Sequence, residues 1–595
     1  MNDVRSTWRR TPIVLLLLSL IVPILVACGG TSEPAAPAAP AATAAPAAPE
    51  ATAAPAAPEA TAAPEAPEAT AAPEAPAAPA TGFEEGTPGG TMTGAWIGPC
   101  CVGVDNNNPM IAGGDYHWLN KIYSHLVTYN VEYTEIIGDL AESWEVSSDN
   151  LTWTFKLRDG VQWHDGSLLT SEDVAFSIEL CVNPLAGGCT KAGQLMDIVG
   201  AKEYVDGSAS SISGLDYSDP SVIKITTLAP NAPLLDTLTE TWILHKASLG
   251  QVPVDQINGN EYWGKVAIGT GPFKLQSYVP GQYMELVRFD NYFRGAPLLE
   301  KLIRRHFQDP ATALLAFDRG EIDFAYVTAD EVEREMANEN AIVLPGPSQV
   351  DNAITMNPEK NPAFGNTLFR QAIMYAINRE AIIENLYKGA AKPVNCLFGN
   401  ERYIPADEIK YTYDPEKAKA LLAEAGIDPA SLGTITMDTY YNDQLSLDVM
   451  TAFQQDLAAI GIDIAIQQMD GPSWTKRYYD DLDSEMSFIG GANGADPHRA
   501  YQYYHSSVER SNVYKFNDPE LDKLLEQGAS EMDIAKRDQI YQQACKIMSE
   551  KLPWLFMWET VRYGIVSKRI GNFVFTPAAG GGSYYDAAEK WFIRN

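Results

Sequence analysis

The sequence is short of positive charge, of histidine and of compact catalytic signatures. Its 595 residues hold 43 Lys and Arg against 77 Asp and Glu, a formal net charge of -34. Nucleic-acid binding needs clustered cations, so that class is excluded. The 7 His are scattered, and no H-E-x-x-H, G-x-S-x-G or C-x-x-C occurs. Zinc hydrolysis, serine hydrolysis and a zinc or redox site built on paired cysteines lose their usual marks. After Val26 there is no second long apolar run, so the body is expected to be soluble.

What is present starts at the first residues. Arg5, Arg9 and Arg10 precede an apolar run from Ile13 to Val26, short for a membrane span and typical of a signal-peptide core. Leu25-Val26-Ala27-Cys28 follows, and it resembles a bacterial lipobox, in which the cysteine is lipidated. Residues 1–27 are therefore expected to be a lipoprotein signal peptide, with Cys28 anchored to the membrane rather than spanning it. Thr31 to Thr81 is almost only Ala, Pro, Glu and Thr. Such a tract has nothing to bury, and its prolines favour an extended form rising about 3.1 Å per residue. Residues 28–81 read as a disordered stalk.

The remaining 82–595 is too long for one ordinary domain. Leu151, Trp153, Phe155 and Leu157 alternate as in a half-buried strand. Thr170 and Asp173 have capping-box spacing before a helix. Strands flank the turn Pro280-Gly281. Leu368, Ala372, Ile373, Ala376 and Ile377 fall at helical spacing, continue through Ile382, Ile383 and Leu386, and stop at Gly389. Asp414-Pro415 opens another helix, closed by Gly426. Strand and helix alternate throughout, so the class is α/β.

Several short motifs are set aside. Gly259–Val266, GNEYWGKV, lacks the Ser or Thr of a phosphate-binding loop. Gly269-Thr270-Gly271 lacks a third glycine and more readily marks a tight chain crossing. His498 and His505 are seven apart, two turns along a helix, too far to share an ion directly. No metal and no cofactor are expected. Cys181 and Cys189 flank the turn-rich VNPLAGG and are the candidate disulfide; pairing of the other cysteines stays open.

In order, Leu140–Ser177, Gly269–Leu275, Arg319–Ala325, Leu368–Ile382, the YDPEKAKALLAEAGI segment and Phe516–Leu521 resemble one family. It is the family 5 solute-binding proteins of ABC importers, the dipeptide and oligopeptide binders and their relatives. Ile122–Asn130, IYSHLVTYN, looks like that family's first helix. The resemblance implies a two-lobe periplasmic-binding-protein-like fold, type II and cluster C, with hinge closure around the ligand. It places one lobe in 82–130, 268–345 and 560–595, an inserted subdomain in 131–267, and the other lobe in 346–559. It implies a monomer that is no enzyme, with a peptide or other small-molecule ligand and ABC permease and ATPase subunits as partners. The turn Trp163–Gly166, WHDG, becomes structural.

Ser487–Tyr501, SFIGGANGADPHRAY, is similar to the strand and loop at the family's cleft floor. Peptide binders carry Asp-x-x-Asp/Glu-Pro there, and the first Asp holds the ligand's α-ammonium. Here Asp496-Pro497 matches, but Asn493 stands in the first position, and no acid lies at Gly491, Ala492 or Gly494. An amide supplies no charge. The ligand is then a peptide, or a neutral solute such as an oligosaccharide; a sensor feeding a membrane receptor is the reading from another class. Asn493, Asp496, Trp474 and Tyr501 are the candidate ligand-binding residues.

Overall fold

The computed structural model describes residues 82–97, 107–110, 116–187, 189, 191–508, 513–575 and 583–594. Residues 1–81, with the expected signal peptide, Cys28 and the expected stalk, lie outside the described residues, as do Cys100 and Cys101.

Eleven strands form one large mixed sheet. From one edge they run Phe273–Val279, Tyr283–Arg288, Lys301–Phe307, Thr91–Ile97, Phe324–Val327, Leu555–Ser567, Ala341–Met356, Met486–Ala492, Thr434–Thr439 and Asp463–Gln468, with Ala391–Pro393 added beside Leu555–Ser567. Thr91–Ile97 pairs in parallel with Lys301–Phe307, and Thr434–Thr439 with Asp463–Gln468. Helices connect such strands, as Gln444–Ala458 does before Gly461 turns the chain at φ 85°. A separate four-stranded antiparallel sheet holds Ala141–Val146, Thr152–Leu157, Val222–Thr226 and Leu215–Asp219.

Two long strands carry the sheet from one core to another. The first half of Ala341–Met356 meets the second half of its antiparallel partner Leu555–Ser567, as Ala341–Pro347 against Val561–Ser567, beside Phe324–Val327. Beyond a register break between Pro347 and Asp351, Val350–Met356 pairs instead with Met486–Ala492 while keeping Leu555–Glu559. Gln349 sits in this break at φ 55°, a left-handed conformation that a non-glycine residue adopts at some cost. Apolar side chains divide accordingly. One cluster draws only on residues from Ala353 to Trp558, and another joins Met92, Trp118, Phe273, Leu302, Phe324 and Trp591. A third fills the small sheet, where Trp153, Phe155 and Leu157 point inward.

Local signals act as their chemistry requires. Asp173 accepts from the Thr170 backbone at 3.0 Å and heads the helix Ser171–Val182. Gly281, at φ 69°, turns the Phe273–Val279 hairpin. His164 binds the Gly269 N–H through Nδ1 at 3.2 Å and lies 3.0 Å from the Gly271 carbonyl through Nε2. Burial pulls this imidazole down to about 4, so it stays a neutral clip between two turns. Disulfides join Cys181 to Cys189 and Cys396 to Cys545.

Two expectations are corrected. Ile122–Asn130 holds strands Ser124–His125 and Val127–Tyr129; the short helix is Tyr116–Leu119 before it. Tyr123, Val127, Thr128 and Tyr129 are β-formers, and Ile136–Gly138 and Trp242–Ile243 supply the pairing. The helical run from Leu368 to Leu386 breaks at Ile377, giving Thr367–Ala376 and Arg379–Asn385. Asn378 caps the second piece by accepting from Ala381 N, and buried Arg379 donates to the carbonyls of Val394, Phe556 and Tyr411.

No helix among the described residues is long and apolar enough to cross a membrane.

Candidate functional site

The strand Met486–Ala492 delivers the loop of interest. Gly490 donates its N–H to Tyr440 Oη at 3.1 Å, and Asn352 Nδ2 donates to Tyr441 Oη at 3.0 Å, so a tyrosine pair brackets the strand. A Cβ on Gly491 would sit 2.2 Å from the Trp554 ring, which explains the small residue there. Asn493 extends the ladder by donating its N–H to the Gln349 carbonyl at 3.0 Å. Gly494 then turns the chain at φ 64°.

The Asn493 side chain is buried, and its Nδ2 donates to Asp351 Oδ1 at 3.0 Å and reaches Glu559 Oε1 at 3.5 Å. Glu559 Oε1 also accepts from the Gln349 N–H at 2.9 Å. Two carboxylates from the two crossing strands thus converge on the position where the loop itself carries none. Burial, and then the charge of Glu559, pushes the Asp351 carboxyl well above its ordinary range. Burial likewise raises Glu559, against the pull of its hydrogen bonds from Asn493 and Gln349.

Asp496 has a different task. It binds Arg537 with both oxygens at 2.7 and 2.8 Å, and accepts from the His498 N–H at 2.8 Å. Burial works against its ionisation, but the Arg537 charge and hydrogen bonds outweigh burial and hold the carboxyl below its ordinary value. Arg537 also donates to the Gly528 carbonyl, so the pair pins the loop to the helix Ile534–Lys551. Trp474 is buried in the core, donating to Ser487 Oγ at 2.9 Å and stacking on Tyr478 at 4.6 Å. Tyr501 lies half-buried between His498 and His505, at centroid distances of 5.0 and 4.1 Å. Asn493 and Asp496 therefore share one loop, while Trp474 supports the strand beneath it and Tyr501 packs on two imidazoles.

The loop faces another part of the chain. Ala495 packs on Tyr129, Tyr133 and Tyr584. Arg499 approaches Glu240 at 3.6 Å, and Ala232 donates its N–H to the Ala529 carbonyl at 2.9 Å. Lys191 bridges Glu240 and Asp236 at 2.8 and 3.4 Å, and Tyr129 donates to Asp236 at 2.7 Å. On the other side of the Asn493 cluster a cavity of about 350 Å³ is lined by Asn395, Phe398, Gly399, Glu408 and Glu559, among others. A more open recess of about 590 Å³ lies far off, on the edge strands around Tyr283 and Arg305.

Among the described residues, the one grouping with metal-ligand spacing is Cys396, Glu408 and Cys545, and its two sulfurs form a disulfide. His505 is taken up by Ser507 at 2.7 Å and Glu526 at 3.3 Å.

Sequence reasoning missed Asp351 and Glu559. They stand 142 and 66 residues from Asn493 along the chain, and β-pairing alone brings the three together. A lone charge inside an otherwise uncharged strand, as at Asp351 in Ala341–Met356, was the available signal.

Residues 135–514 match the model for bacterial extracellular solute-binding proteins, family 5. A Brucella ovis protein named as an ABC transporter peptide-binding protein is 38% identical over 514 residues, covering 85% of this chain and 94% of the relative. The dipeptide-binding protein of Escherichia coli is 27% identical over 77% of this chain and 87% of its own. The oligopeptide-binding protein AppA of Bacillus subtilis, solved with a nonapeptide, superposes with a TM-score of 0.70 at 23% identity, covering 86% of this chain and all of that one. The family model and the 38% identical relative agree: this chain belongs to family 5 of the bacterial extracellular solute-binding proteins.

Proposed function

We propose that this chain captures a peptide outside the cytoplasm and delivers it to the permease and ATPase subunits of an ABC importer. The Brucella and Escherichia coli relatives, named for peptide binding, support the ligand class. The observation that carries the reading is the seat of the 493–501 loop. It leaves a strand paired to a crossing strand and packs through Ala495 on Tyr129, Tyr133 and Tyr584. A ligand gripped there touches the paired strands and the segments that carry these tyrosines at once.

One lobe then comprises 82–130, 268–345 and 560–595, with 131–267 inserted, and the other comprises 346–559. The register break around Gln349 is where the crossing strands bend, and closure is driven only by the ligand's preference for the closed form. Capture of this kind needs no catalytic group. Lipid on Cys28 tethers the protein, and the 28–81 stalk sets its reach. The protein acts as a monomer.

A neutral solute such as an oligosaccharide is the second reading, favoured by the uncharged amide of Asn493. A thermal-shift screen of the purified full chain separates the two. Stabilisation by a tripeptide pool and none by an oligosaccharide pool supports peptide capture, and the reverse rejects it.

A further inference from the structure

The cluster around Asn493 has too many acceptors. Asp351 Oδ2, Asn493 Oδ1 and Gln349 Oε1 are all buried, and none has a hydrogen-bond partner among the described residues. The three residues are 0%, 2% and 8% exposed. Neither Asp351 nor Glu559 takes part in an ion pair among the described residues; the neighbouring Lys392 pairs outward with Glu401 at 2.8 Å. Native interiors rarely leave such oxygens without a donor. A set of two carboxylates and two amide oxygens calls for a group that brings hydrogen-bond donors and positive charge.

We infer that Gln349, Asp351, Asn493 and Glu559 form a subsite for a cationic group of the ligand, a primary ammonium or a guanidinium. This rests on the reading of the chain as a solute-binding protein. The charge that the loop lacks comes from the crossing strands, Asp351 on the first and Glu559 on the second. A cation placed there removes the repulsion between them and ties the two strands together beside the register break. Access runs along Gly399, which lines the 350 Å³ cavity with Glu559. A Cβ on Gly399 would stand 2.9 Å from Asn493 Nδ2 and 3.2 Å from Glu559 Oε2, so only glycine leaves this approach open.

The test is calorimetric titration of the full chain, freed of co-purified ligand, with four probes: a tripeptide pool, the same pool N-acetylated, agmatine, and calcium chloride. The native protein is expected to bind the free-amine pool about tenfold to a hundredfold more tightly than the acetylated one. The Asp351→Asn/Glu559→Gln double variant, which relieves a repulsion and should fold, is expected to lose that preference. Gly399→Ala, with both charges intact, should lose it too. If native protein binds both pools equally, peptide capture stands and the cationic subsite falls. If neither pool binds, the peptide reading falls; agmatine binding that the double variant abolishes then still supports the subsite, and no agmatine binding overturns it. Calcium binding that the double variant abolishes, without an amine preference, overturns it in favour of an inorganic ion.

Discussion

Asn493 and Asp351 are joined by a 3.0 Å hydrogen bond in which the amide donates and the carboxylate accepts. An aspartate in the loop would bring a third carboxyl against those of Asp351 and Glu559 and take away their shared amide donor. Asn493 fits the acids around it, because its amide donates to both.

Replacing Asn493 with Asp therefore trades a donor for a repelled carboxylate. We expect a loss of roughly 1–3 kcal/mol in the unliganded protein, the cost of a buried acceptor without its donor. The new carboxyl would be raised by its neighbours, so the loss should grow as pH rises. Thermal melts at pH 5 and pH 8 check this; equal losses at both would place Asp351 or Glu559 away from residue 493.

Asp351 gives a pH dependence of its own. Its folded pKa lies above the unfolded one, so between the two values the folded chain holds the extra proton. Stability attributable to this group is full below the ordinary carboxylate range and falls as pH rises through the window. Asp351→Asn should be more stable than the native chain at pH 7 to 8 and should flatten the melting profile. A variant that melts earlier at every pH contradicts the assignment.

Asp496 behaves oppositely. Its carboxyl is lowered by Arg537, so its stabilisation is present above the ordinary Asp value and lost as pH falls through the folded one. Asp496→Asn strands a largely buried guanidinium and should cost about 3–5 kcal/mol. Denaturant unfolding measures it, and the Asp496→Asn/Arg537→Met pair should recover part of the loss.

The Cys396–Cys545 disulfide spans 149 residues and ties 346–559 to itself. Loop-closure entropy makes its removal worth about 4–5 kcal/mol. Unfolding of a double serine variant tests this, and an unchanged midpoint would show that the bond does not form.

Lipidation at Cys28 predicts that Cys28→Ala frees the protein from the membrane fraction. Retention equal to that of the native chain would count against the anchor.

Much of the architecture was legible because it is local. Alternation at Trp153, Phe155 and Leu157, the cap pairing Thr170 with Asp173, and the turns at Gly281, Gly426 and Gly461 each decide their own segment. What escaped depends on partners far along the chain. Ile122–Asn130 became strands because Ile136–Gly138 and Trp242–Ile243 meet it, and Arg379 broke a helix to reach carbonyls of strand Leu555–Ser567. The site followed the same rule. The loop from Asn493 to Tyr501 is one continuous stretch, whereas Asp351 and Glu559 join it only through the pairing of three strands. Asp496 and Trp474 fitted a ligand-binding pattern by type, but their polar atoms go to Arg537, His498 and Ser487.

Peptide capture is tested by mass spectrometry of the solute that co-purifies with the full chain expressed in its native host. Peptide capture predicts bound species carrying a free amino or guanidinium group. A neutral oligosaccharide as the dominant bound species would contradict it.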